Sequence, residues 1–149
     1  MNIGAITLKL LLSILFGGAV GLERETSRKP AGLRTNILIC ASSTMMMALS
    51  QLQIGGKDLS GEAMRVAAGV ITGVGFLGAG AIIRSRGEVH GLTTASTIWA
   101  VAGMGLVLGA GYYGLAAIFT AIIVLTLILL RKVEGYIARK IGPDPRAER

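Results

Sequence analysis

A single cysteine, Cys40, sits inside an apolar stretch. An intrachain disulfide is therefore excluded, and no thiolate set exists to hold a metal. Histidine is as scarce: His90 stands alone, without the neighbours that a metal centre or a catalytic triad requires. Charge is thin too. Charged residues make up 15% of the chain, against roughly 25% in soluble domains. A soluble domain of 149 residues needs a polar exterior, and this sequence lacks the side chains to build one. What it has instead is 52% hydrophobic residues, 22 glycines and a mean hydropathy of +0.68. A lipid bilayer covering much of the surface resolves the imbalance. The net charge of +7 falls in short basic clusters between apolar stretches, with little aromatic interleaving. That arrangement suits orientation in a membrane, and no nucleic-acid partner is expected.

Five stretches reach the length a bilayer crossing needs, about 20 helical residues. They are Ile3–Leu22, Asn36–Ile54, Val66–Ile83, Leu92–Ala110 and Tyr112–Leu130. The second is the most polar, carrying Ser42, Ser43, Thr44, Ser50 and Gln51, and is expected to face other helices more than lipid. The first is read as a retained span, because no small-residue cleavage site leads into a soluble domain. The predicted fold class is an all-α membrane protein, a bundle of five transmembrane helices. Residues 1–130 form the membrane domain and 131–149 a short basic tail. Arg24, Arg28, Lys29, Arg34, Arg84, Arg86 and six more Lys or Arg after Leu130 fall on one side of such a bundle, against Lys57 and Arg65 on the other. The N-terminus is therefore expected outside and the C-terminus in the cytoplasm. Lys9, about two turns into the first span, is expected to extend to the outer interface.

Gly73, Gly75 and Gly78 spell G-x-G-x-x-G, the fingerprint of a dinucleotide loop. That loop needs a strand before the glycines and an acid about 20 residues later. Residues 93–103 hold no acid, and the upstream segment continues straight into the apolar run. No cofactor is predicted. Helix packing explains the glycines instead: Gly69, Gly73 and Gly80 share one helical face, while Gly75 and Gly78 lie on another. Gly17 with Gly21, and Gly105 with Gly109, offer partner surfaces. The third span is expected to be central, so that Gly73→Leu or Gly78→Leu would unfold the protein or break its assembly. Its two faces also suit a homodimer.

Four ordered blocks, "GLERE" at 21–25, "AGLRTN" at 31–36, "RVAAGVITGVGFLGAGAI" at 65–82 and "GLTTASTIWAVAGMG" at 91–105, resemble the MgtC/SapB family of bacterial inner-membrane proteins. The resemblance implies a five-span domain, a link to magnesium limitation and, in some members, survival inside host cells and restraint of the F-type ATP synthase. Many relatives add a soluble C-terminal domain, for which the residues after Leu130 are too few. Asn36 stands where many relatives have His, and Gly69 where many have Gln.

The predicted topology gathers Glu23, Arg24, Arg34, Thr35, Asn36, Thr93 and Thr94 at the cytoplasmic face. Two readings of this cluster stand: a capped, ion-paired helix end with Glu23 on Arg34, or a pocket for a small ligand, an anionic headgroup or a partner side chain. On the outer side, Glu62 and Arg65 are spaced for an ion pair, with Asp58 nearby. Trp99 is expected to fill a gap opposite glycines. All eight acids lie outside the five spans, so no carboxylate marks a magnesium path through the membrane. No metal site and no enzymatic activity are predicted. The leading expectation is a regulatory or interaction protein; the alternative is a channel or carrier for an ion or small solute.

Overall fold

The computed structural model describes residues 3–53, 61–85 and 88–141. Five helices, α1 (Ile3–Thr26), α2 (Leu33–Gln53), α3 (Glu62–Gly80), α4 (Leu92–Gly109) and α5 (Tyr113–Ile141), carry the fold. A small antiparallel hairpin, β1 (Ile83–Ser85) and β2 (Glu88–His90), joins α3 to α4 with Arg84 opposite Val89. By length and composition, α1, α3, α4 and α5 can each cross a membrane. The serines and threonines of α2 lower its apolar character, and three of the five face inward. Ser43, Thr44 and Ser50 are buried, and Thr44 Oγ1 donates to the Gly105 carbonyl of α4 at 3.0 Å.

Cross-helix bonds set the directions. Lys9 near the start of α1 meets Gln51 and Gly109 at the far ends of α2 and α4. Arg24 near the end of α1 meets Thr94 at the start of α4. Hence α1 runs antiparallel to α2 and α4, while Arg131 of α5 returns to Glu23, making α5 parallel to α1. The Lys9 ammonium finds its acceptors, the Gly109 carbonyl and Gln51 Oε1, at the end of the bundle opposite Arg24.

The central helix is α4, which touches α1, α2, α3 and α5. Of its apolar stretch 56% is buried, against 11% for α3. This corrects the expectation that the third span is the keystone. Close approach occurs where small residues meet backbone: a Cβ on Gly105 would stand 2.5 Å from the Cys40 carbonyl oxygen, and one on Gly109 the same distance from that of Thr44. Gly17 and Gly21 of α1 are as tightly placed against Asn36 and Leu33 of α2. Gly78 of α3 lies at ordinary contact distance from Ala95, whereas Gly69, Gly73, Gly75 and Gly80 face open space. The fingerprint glycines lie within one continuous helix, α3. Trp99 borders a surface groove with Gly75 and Gly78 and remains 51% exposed.

The bundle buries polar side chains among its apolar core and is apolar outside. Ser13, Asn36, Ser43, Thr44, Thr97 and Thr120 are buried, while Leu11, Leu15, Phe76, Ile118, Leu125 and Leu129 are exposed. In water that distribution would expose large apolar patches. In lipid it is the arrangement expected of packed helices, whose internal polar groups bond to one another.

α5 continues past Leu130 to Ile141. Residues 131–134 are Arg, Lys, Val and Glu, and no proline intervenes before Pro143, so nothing in the chain stops the helix at the end of its apolar run.

Candidate functional site

The end of the bundle that holds the turn between α1 and α2 also holds its charged interior. Arg24 is 4% exposed and Glu23 8%. Neighbouring positions on a helix diverge by about 100°, so the two side chains engage different partners. Arg24 Nη2 donates to Thr94 Oγ1 at 2.7 Å and to the Pro30 carbonyl at 3.4 Å. Glu23 Oε1 accepts from Ser27 Oγ at 2.7 Å and faces Arg131 Nη1 at 3.6 Å. Arg131 also donates to Ser27 Oγ. The expected Glu23–Arg34 pair does not form: Arg34 is exposed, and α5 supplies the counter-charge instead.

The predicted caps are also revised. Asn36 lies inside α2, fully buried, and its Nδ2 donates back to the carbonyls of Ala31 at 2.5 Å and Gly32 at 2.9 Å. It fastens the preceding turn, in which Arg28 and Ala31 adopt positive φ values of 54° and 55°. Left-handed backbone at a non-glycine residue costs roughly 1–2 kcal/mol, so the turn needs such fastening. Glu25, not Thr35 or Asn36, satisfies the start of α2: its Oε2 accepts from the Leu33 amide at 3.1 Å. Thr35 and Thr93 are exposed. At the start of α4 the capping position is Gly91, at φ 88°, with no side-chain cap. A side chain there would strike the Ala81 carbonyl, which accounts for the glycine.

Glu23, Arg24, Ser27, Thr94, Thr126 and Arg131 border a cavity of about 310 Å³, which the uncapped first turn of α4 also lines. Beside it Glu23 Oε2 and Arg24 Nε are buried without a hydrogen-bond partner. Sequence reasoning brought Glu23, Arg24, Thr93 and Thr94 to this end but missed Ser27 and Arg131. Ser27 sits one turn after Glu23, a spacing that offers a hydrogen bond; Arg131 could be placed only by knowing that α5 lies beside α1.

At the opposite end, Glu62 and Arg65 pair at 3.4 Å, both largely exposed. Asp58 lies outside the described residues. His90 on β2 is exposed and lies 3.3 Å from Glu88.

Helices long and apolar enough to cross a membrane, an apolar exterior and a charged pocket at one end are the features of a helical membrane protein. The comparisons narrow that class: the MgtC family profile matches residues 10–136. Similar proteins include SapB of Bacillus subtilis, 41% identical over 97% of this chain and 62% of its own. MgtC of Salmonella typhimurium LT2 is 40% identical over 84% of this chain and 52% of its own. An uncharacterised Haemophilus influenzae protein is 39% identical over 89% of this chain and 58% of its own. The chain belongs to the MgtC family. It spans between half and two thirds of the length of these relatives. No solved structure matches the chain.

Proposed function

We propose that the protein is a five-span component of the bacterial inner membrane, with its N-terminus outside, that regulates the response to magnesium limitation by binding rather than by catalysis. The Glu23–Arg24 pocket is its working site. The observation that carries this reading is the pair of buried, oppositely charged side chains bordering one cavity, each with an unpartnered atom. Burying charge is costly unless it is paired and hydrogen-bonded, and a purely structural helix end does not need two such atoms. The basic clusters favour the cytoplasmic side for this pocket. The open glycine face of α3, with Gly69, Gly73 and Gly80, supports contact with a second copy or with a membrane partner such as the F-type ATP synthase.

A strain deleted for the gene and growing at limiting magnesium is the test. Wild-type protein restores growth; Glu23→Gln and Arg131→Ala, at equal membrane abundance, do not. Full rescue by both variants, or cation flux through purified protein in liposomes that disappears in Glu23→Gln, overturns the reading.

A further inference from the structure

We propose that the pocket recognises a phosphoethanolamine group, a primary ammonium and a phosphate ester carried in one molecule. Three features of the cavity call for an anion. Arg24 and Arg131 both border it, Arg24 carries a buried, unpartnered Nε beside it, and the first turn of α4 lines it without a side-chain cap. The first amides of a helix have no partner within the helix and favour phosphate. A plain anion is nonetheless a poor fit, because the same cavity is bordered by Glu23, with its own unpartnered Oε2, and by Glu134. A simple cation fares no better beside Arg24, Lys29 and Arg131.

A zwitterion satisfies both sides. The link between Glu23 and Arg131 is a loose one, at 3.6 Å, and the Arg131 side chain is half exposed. An incoming ammonium takes the place of Arg131 on the Glu23 carboxylate, and Arg131 turns to the phosphate with Arg24 and the α4 amides. Charge is conserved in the exchange, and each charged group of the ligand meets side chains of opposite sign at the cavity border. The volume, about 310 Å³, lies at the small end of ligand sites, roughly 300–1,000 Å³. Leu92 and Leu130 border the cavity and are exposed, so acyl chains attached to the phosphate would continue onto apolar surface. A phospholipid headgroup and a free phosphoethanolamine share this chemistry, and the experiment separates them.

Because this ligand rests on the pocket being the working site, binding is measured on purified protein. Lack of selectivity then refutes the ligand without touching the growth result, and failed growth complementation leaves the affinities standing. Native mass spectrometry compares phosphatidylethanolamine with phosphatidylcholine, whose quaternary ammonium donates no N–H, and with phosphatidylglycerol, which has no ammonium. Phosphatidylethanolamine binds at least about tenfold more tightly than either. Glu23→Gln reduces that preference to near unity, and Glu134→Gln, an exposed change, weakens it. Competition by free O-phosphoethanolamine identifies the soluble ester as the ligand; its failure to compete identifies the lipid. Equal binding of the three lipids by the wild-type protein, or selectivity fully retained in both variants, overturns the assignment.

Discussion

The ammonium of Lys9 donates a 2.6 Å hydrogen bond to the carbonyl oxygen of Gly109, the last residue of α4. It reaches Gln51 Oε1 at 3.3 Å as well, and Gln51 Nε2 donates to the Ala110 carbonyl at 3.2 Å. The final carbonyls of a helix lack internal partners and carry the negative end of its dipole. Lys9 and Gln51 therefore close the end of the central helix from two neighbouring helices.

Replacing Lys9 by Met removes both the bond and the charge, leaving the Gly109 carbonyl unpaired. The expected loss is about 1–3 kcal/mol, read as a lower midpoint in detergent or urea unfolding. Gln51→Leu should cost a comparable amount. The double variant should lose less than the two singles added together, since the residues share one network.

The glycines separate into two groups. Gly105→Ala and Gly109→Ala force a Cβ against the α2 backbone, and overpacking of this kind costs typically 1–3 kcal/mol. Gly73→Ala meets open space and should leave the folded monomer intact, reversing what its place in the sequence suggests. If Gly73→Leu yields a monodisperse monomer where the wild type forms dimers by crosslinking, the open face of α3 is an interface between copies.

Thr94→Val removes the acceptor of a buried Arg24 bond while keeping shape. Hydrogen bonds to charged groups contribute about 1.5–3 kcal/mol. A cycle with Arg24→Met should show coupling between the two positions. Additive single effects would mean that the 2.7 Å contact has no energetic weight.

Orientation is open to thiol labelling, since the native Cys40 is fully buried and should stay silent in intact membranes. Gly61→Cys, where a side chain meets nothing, should react with an impermeant maleimide added outside the cell. Val89→Cys on β2, also exposed, should react only after permeabilisation. Labelling of both from the same side would break the five-span topology.

The positions of all five helices were legible, because runs of apolar residues interrupted by charge are a signal that lies along the chain. Their neighbours were not. The apolar exterior of a membrane bundle removes the amphipathic stripe by which a soluble helix reveals its buried face. Gly73 and Gly105 therefore looked alike, although only Gly105 meets backbone. The charged site was half legible: Glu23 and Arg24 mark it in the sequence, but Arg131 lies 108 positions from Glu23 and joins it only through helix order. The hairpin at Ile83–His90 went unforeseen because each strand has three residues, too few for alternation to register.

The sparse attachment of α3 has a consequence for motion. It rests mainly on α2 and α4, with only Ala63, Val74 and Gly78 buried. Opening events of low free energy draw on the elements that bury least. Swinging this one helix away disturbs neither the Lys9 clasp nor the Glu23–Arg131 contact, so the bundle can exchange what lies against its flank while its charged end stays shut.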